Sequence, residues 1–249
     1  MPQSRSDARR STRCRIFIDT DLHPGLEVVI PADQAHYLRH VMRLNSGDAL
    51  TVFNGCGGEY AASISALSRT HASCRMETYD DISRELSLAV HIIQCANKRE
   101  KIEMVLQKGT ELGAASFQIA ASERSQFRLP ENKRLARLER WRKIIIEAAE
   151  QSGRTSIPEL AYRGSLGEVQ VQPQAYALHP EAAVSFASIR GDLISAAGIS
   201  LAIGPEGGFS ARDLQGLQAS GCRSLSFGPR IMRTETAAPA LLAAIAAVL

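Results

Sequence analysis

No two of the five cysteines stand in C-x-x-C spacing; Cys14, Cys56, Cys74, Cys95 and Cys222 are scattered and odd in number. That argues against a zinc site and a disulfide framework and leaves reduced, mostly buried thiols. A leader is not expected either: the opening MPQSRSDARRSTRCR is polar and basic with no apolar core. No apolar run reaches the roughly 20 residues of a membrane-spanning helix; the most apolar segment, 237–249, is short and alanine-rich. The glycine-rich GPEGGFS has neither the Lys-Ser/Thr pair of a phosphate loop nor G-x-G-x-x-G spacing. His36 and His40 share a helix face in HYLRH, but without the glutamate of H-E-x-x-H or a third ligand they read as ordinary helix histidines. The chain is therefore expected to be cytoplasmic, without membrane or metal.

What is present is ordinary in bulk and uneven in place. A chain of 249 residues, 45% hydrophobic and 22% charged, can bury one large core or two modest ones. The formal net charge of +3 hides two basic islands. Residues 1–15 carry five arginines against one aspartate, and residues 128–143 carry seven basic residues against two glutamates. Two such islands on an otherwise acidic chain suit a polyanion partner. A solvated helix face and a basic tail would give the same pattern.

The first eighty residues read as short strands: 15–18, 26–30, 49–54, 60–65 and 72–79, with turn signals at SGD and NGCGG. A helix over 33–42 interrupts them. This rhythm predicts a small β-barrel. From about residue 85 strands and helices alternate. Strands are expected at 88–95, 116–121, 175–179, 200–204 and 224–228, and helices at 99–113 and 131–151, the second stopped by Gly153. Leu135, Leu138, Trp141, Ile145 and Ala148 are its expected buried stripe. The fold class is thus α/β with a largely parallel sheet. The almost wholly apolar AAPALLAAIAAVL reads as a terminal helix buried on all sides, with Pro239 in its first turn.

Ligands of open α/β sheets bind beyond the carboxyl ends of strands. Three loops fall there: HPEA (179–182), GPEGGF (204–209) and GPRIMRTETA (228–237). In the second, Ser210 and Asp213 suit a capping box and Phe209 a staple onto Leu214. Helix capping alone does not call for GPEGG, where two glycines let backbone approach a flat ring or a ribose edge. In the third, Arg230, Arg233 and Glu235 crowd into six residues, readable either as a site or as a charged turn before a core helix.

GPEGGFS followed some twenty residues later by FGPRIMRTETA resembles the SPOUT-superfamily methyltransferases that modify N3 of a uridine in small-subunit ribosomal RNA. HYLRHVMRLNSGDALTVFNGCGGEY, KIEMVLQKGTELG, SERS, RLERWRKIIIEAAEQSGR and LHPEA match in the same order. The resemblance implies a basic arm (1–14), a PUA-like RNA-binding barrel (15–82) and a trefoil-knotted methyltransferase domain (83–249). It also implies S-adenosylmethionine as cofactor, 16S ribosomal RNA of the small subunit as substrate, and a homodimer. Carried over, the cofactor residues are Leu178, His179, Gly204, Pro205, Glu206, Gly207, Gly208, Phe227, Gly228, Ile231, Met232, Arg233, Thr236 and Ala237. Arg233 and Arg230 are the candidates for stabilising charge on the uracil, and Glu235 for orienting an arginine or relaying the proton. Arg39, Arg43, Arg124, Arg137, Arg140 and Arg154 are the expected RNA contacts, with Arg124 and Arg154 open also to a partner subunit. Two other readings stay open: an RNA-binding protein of this fold without activity, and another nucleotide-dependent α/β enzyme.

Overall fold

The computed structural model describes residues 14–126 and 128–249, so the basic arm lies, but for Cys14, outside the described residues. The chain divides into two compact units. The first takes the described residues through Glu85 together with Ala149–Ile157; the second takes Leu86–Ala148 and Pro158–Leu249.

In the first unit, strands β1 (Arg15–Phe17), β2 (Glu27–Val29), β3 (Ala49–Phe53), β4 (Glu59–Leu67) and β5 (Ala72–Asp80) form one sheet in the order β1-β3-β4-β5-β2. The hydrogen-bonded ladder is open between β1 and β2. One core nevertheless draws on every strand: Ile16, Val28, Leu50, Val52, Ile64 and Met76 pack with Leu38 of helix α1 (Ala32–His40). A distant segment completes this unit. Arg154 is only 4% exposed and forms an ion pair with Glu85, while the Glu150 carboxylate accepts the Phe17 N–H at 2.8 Å. A buried arginine left without its carboxylate would cost several kcal/mol, roughly 3–5, so residues 149–157 are held to β1 and its neighbours by more than chain connectivity.

The second unit is a six-stranded, all-parallel sheet: β6 (Ala89–Cys95), β7 (Ala114–Ala120), β8 (Glu159–Arg163), β9 (Gln174–Leu178), β10 (Gly198–Ile203) and β11 (Cys222–Leu225), in the order β11-β9-β10-β6-β7-β8. The chain runs outward from β6 to β8 and then crosses to the other side of β10, placing the switch point between β6 and β10. Central strands are buried along almost their whole length, as parallel strands covered on both faces must be. One face packs Ile93, Ala177 and Ala202 beneath Leu217 of helix α5 (Ala211–Ala219). Helices α2 (Arg99–Glu111) and α6 (Thr234–Ala246) pack against each other, and α6 also meets β6 and β10. Helix α3 spans Glu131–Ser152, and a short α4 spans Arg190–Ser195.

The expected strands are present, shifted by a few residues. β8 and α4 were not anticipated from the sequence. Four thiols are buried and Cys56 is exposed, all five free, and burial pushes Cys74 and Cys95 up to about 12. In α3, Trp141 and Ile145 are fully buried, but Leu135, expected on the same stripe, is 72% exposed. α6 is buried on one side only: Leu241, Leu242 and Ile245 are enclosed, whereas Thr236, Ala243 and Ala246 are exposed. It also starts earlier than the apolar run suggests, so Pro239 sits in its second turn rather than its first.

Gly109 shows how tightly α2 lies on the sheet. A Cβ there would stand 2.7 Å from the fully buried Phe117 ring of β7. Gly109→Ala would gain up to about 1 kcal/mol of helix propensity and lose about 1–3 kcal/mol to overpacking. A net loss of stability is expected in urea unfolding; a variant as stable as the parent would mean that the helix is not seated by this contact.

Candidate active site

β9, β10 and β11 are parallel neighbours, so the loops at their carboxyl ends open on one edge of the sheet. Those loops, 179–182, 204–209 and 226–233, enclose a cavity of about 490 Å³. The first is tied to the third by the His179 N–H, which donates to the Leu225 carbonyl at 2.9 Å.

The glycines of the second loop serve different ends. At Gly204 a Cβ would lie 3.3 Å from backbone atoms of Gly208 and Phe209, because the loop folds back on itself. Gly208 has φ +67°, and its N–H closes a turn onto the Pro205 carbonyl at 2.9 Å. Gly207 differs: a Cβ there meets only Arg124 side-chain carbons at 3.6 Å, an ordinary contact. Nothing in the chain's own packing requires glycine at 207. After the loop, Ser210 and Asp213 make the expected capping box, each side chain accepting the other's backbone N–H at 3.0 Å.

A buried hydrogen-bond chain fixes the third wall. Gln94, at the end of β6 and 1% exposed, donates from Nε2 to Thr234 Oγ1 at 2.8 Å. The Thr234 hydroxyl donates in turn to the Gly204 carbonyl at 2.7 Å. The start of α6, the end of β6 and the second loop are thereby locked together.

Charge enters from an unanticipated direction. Lys101, in the first turn of α2, lines the cavity and pairs with Glu206 at 3.0 Å and Glu235 at 3.2 Å. Pairing with Glu206 and then Glu235 holds the ammonium above the ordinary lysine range, against the opposing cost of burial. For Glu206, burial favours the neutral acid, but Lys101 outweighs it and holds the carboxyl below the usual range. Arg230 and Arg233 also line the cavity, are exposed, and have no ion-pair partner among the described residues.

Leu178, His179, Gly204 through Gly208, Phe227, Gly228, Ile231, Met232, Arg233 and Ala237 are all brought to this cavity. Thr236 is not: it is exposed on α6, and Thr234 lines the cavity instead, two residues being more than half a helical turn. Among the described residues Glu235 pairs with no arginine; its charge partner is Lys101. Lys101 and Thr234 were missed by sequence reasoning. KIEMVLQKGTELG is a predicted helix and one of the matching motifs, with Lys101 not singled out in it, though a lysine in a helix's first turn opposes the dipole and signals a nearby anion.

Several expected RNA contacts are engaged within the chain. Arg154 is buried against Glu85 and cannot face RNA in this state. Arg140 clasps Glu103 of α2 at 2.7 and 3.1 Å, and with Arg99 it pulls the Glu103 carboxyl down to about 2. Arg124 donates to the Gly207 carbonyl at 2.9 Å, bracing the second loop. Arg39 and Arg137 are half-buried, and Arg43 is exposed just beyond α1. Among the described residues, no group of three or more His, Cys, Asp and Glu could hold a metal ion, and no helix is long and apolar enough to cross a membrane.

Fold and cavity together define a parallel α/β domain that takes a ligand at its strand ends without phosphate-binding apparatus, joined to a small β-rich unit. Residues 84–246 match the RNA methyltransferase domain model and residues 30–77 the RNA methyltransferase PUA domain model. The chain belongs to the RNA methyltransferase family. Ribosomal RNA small subunit methyltransferase E of Bacillus subtilis is 32% identical over 225 residues, covering 87% of this chain and 88% of that protein. A methyltransferase of Legionella pneumophila solved with bound S-adenosylmethionine is 33% identical, with TM-score 0.86 over 94% of this chain and 97% of that one. Ribosomal RNA small subunit methyltransferase E of Neisseria gonorrhoeae, also bound to S-adenosylmethionine, is 29% identical, with TM-score 0.82 over 93% and 95%.

Thr234→Val keeps the shape and removes the hydroxyl, leaving a buried amide and a loop carbonyl without their partner. About 1–3 kcal/mol of stability should be lost, and affinity for the cavity's ligand should fall with it. Thr234→Ser should retain both. Equal melting temperatures for Thr234→Val and the parent would dissolve the proposed lock.

Proposed function

We propose that the chain transfers the methyl group of S-adenosylmethionine to N3 of a uridine in 16S ribosomal RNA of the small subunit. The observation that carries this reading is the cavity itself: apolar and backbone walls for an adenosyl group, beside two exposed arginines without an ion-pair partner among the described residues. The residues present fit that cofactor. Leu178, Ile203, Phe227, Met232 and Ala237 offer apolar surface, and Gly207, which the loop's own packing leaves uncrowded, lets backbone approach a ligand. Glu206 in the same loop disfavours a polyphosphate.

When bound, S-adenosylmethionine supplies an activated sulfonium methyl for in-line displacement, with no metal needed. The chain must deal with the substrate: N3 of uracil loses a proton as the N–C bond forms, and negative charge gathers on the flanking carbonyl oxygens. Arg233, with Arg230 beside it, stabilises that charge. Glu235, held by Lys101, is the carboxylate near the route by which the proton leaves. The first unit and Arg43, with Arg39, Arg137 and the basic arm, serve the RNA, binding phosphates through salt-sensitive contacts. The active assembly is a cytoplasmic homodimer of knotted methyltransferase domains; the exposed alanines of α6 and Ile231, 84% exposed beside the cavity, supply apolar surface for a partner. An RNA-binding protein without activity would have no use for an intact GPEGG loop facing two unpaired arginines.

Calorimetry should detect S-adenosylmethionine binding to the purified protein and none for ATP; the reverse would overturn the reading. Arg233→Ala should lower single-turnover methylation of small-subunit particles about a hundredfold or more while leaving the melting temperature unchanged. A normal rate would transfer the role to Arg230. Light scattering at micromolar concentration should give twice the chain mass, and an active monomer would refute the dimer.

A further inference from the structure

Helix α2 opens with Lys98, Arg99, Glu100 and Lys101. Three cations at the positive end of a helix dipole break a local rule, and Lys98 at the N-cap position makes no side-chain cap. Rules of this kind are broken where function compensates. Arg99 recovers the cost through Glu103 on its own helix, at 2.8 Å. Lys101 instead reaches away from its helix to two carboxylates on different elements: Glu206 on the second loop, which lines the cavity, and Glu235 in the first turn of α6. Distances of 3.0 and 3.2 Å to one nitrogen place those carboxylate oxygens within about 6 Å of each other. Without the cation between them, the two charges would repel and the walls would part.

We propose that Lys101 is a positioning residue for methyl transfer, a cationic latch that holds Glu206 and Glu235 together and so sets the spacing of the glycine loop and the arginine-bearing loop around the cofactor. The inference rests on the reading of the cavity as an S-adenosylmethionine site. Lys101 is itself half-buried, with 24% of its side chain exposed, and Glu235 shows only 11%. Ion-paired to both carboxylates, the lysine is committed to the two elements it joins, which leaves substrate contacts to Arg230 and Arg233. The other charged or titratable groups facing the latch are Lys98, whose field reaches Glu206, Arg124 at the Gly207 carbonyl, and His179, Arg230 and Arg233 on the remaining walls. None of them is paired with Glu206 or Glu235 by a salt bridge among the described residues.

The latch has a signature that a merely structural lysine lacks. In the parent, with the ammonium between the two carboxylates, the pH profile of cofactor affinity is the baseline for the variants. In Lys101→Met the two carboxylates face each other without a cation, so the pair retains a proton to higher pH than either would alone. A shared proton can then bridge them. Affinity for S-adenosylmethionine should fall roughly tenfold at pH 8, between the small loss of an exposed pair and the larger one of a desolvated pair. It should recover toward the parent as pH falls to 5.5. Lys101→Arg should stay within about threefold of the parent at every pH, because a guanidinium can span two carboxylates. Thermal melts run beside each titration check the fold. If Lys101→Met does not fold, Lys101→Gln, which also removes the charge, must show the same recovery at low pH. Parent-like affinity with no pH dependence in the neutral variants overturns the latch. Failure of the parent to bind S-adenosylmethionine overturns the cofactor reading instead.

Discussion

Everything at the strand ends depends on one buried hydrogen-bond chain, from Gln94 through Thr234 to the Gly204 carbonyl. Parallel neighbours β9, β10 and β11 bring three loops to one edge, but a shared edge does not by itself fix loop conformation. The hydroxyl of Thr234 accepts from one element and donates to another, and at 6% exposure it does so nearly out of water. In such surroundings each bond is stronger and its loss more costly. The start of α6 is therefore referred to the central strand β6 and to the glycine loop at once. Arg230, Arg233 and Glu235 flank or follow that fixed point, so their placement inherits its precision.

Cations near the cavity fall into two groups with different duties. Lys101, Arg124 and Arg140 are committed to carboxylates or carbonyls of the chain itself. Arg230 and Arg233 are not, among the described residues. The basic island of residues 128–143 belongs largely to the first group: Arg134 pairs with Glu131, Arg140 with Glu103, and neither Arg142 nor Lys143 is free. Counting charge along the sequence therefore overstates the cationic surface offered to RNA. Side-chain commitments, which the sequence does not record, decide how much remains.

The loops were legible because glycine, proline and charge in GPEGG and GPRIMRTETA are local signals with local causes. Thr234 was not separable from Thr236 without the point at which α6 begins, which the apolar run placed too late. Lys101 reaches Glu206 across more than a hundred residues, a pairing no local pattern reports. Arg154 follows a helix in SGR and looks like a surface arginine until Glu85 is seen beside it. β8 is an edge strand whose residues are mostly half-buried, so it lacks the continuous apolar stretch that marked β6 and β10. α4 is too short to show a helical period. For Lys101 and Arg154 the missing information lies in contacts distant along the chain; for α4 and Thr234 it lies in where a helix begins and how long it runs.

Strand, glycine-rich turn and helix often cradle phosphate because free backbone N–H groups and the helix dipole both point at the turn. Here the helix end and one of those N–H groups are already used. The Gly208 N–H is spent on Pro205 within the loop. The first turn of α5 is closed by its own capping box, in which the Asp213 carboxylate sits where an anion would. Asp213 also accepts the Glu123 N–H at 3.1 Å, so it is fixed from a second side. Glu206 adds a further negative charge on the loop, and Lys101, the lysine nearest in role to that of a phosphate loop, comes from another helix and is occupied by two carboxylates. A polyphosphate seated on the glycine loop and the first turn of α5 would have to displace Asp213 and break the Lys101 pairs. A ligand that offers a flat ring meets none of those costs: the apolar and backbone walls of the cavity take it without breaking an ion pair.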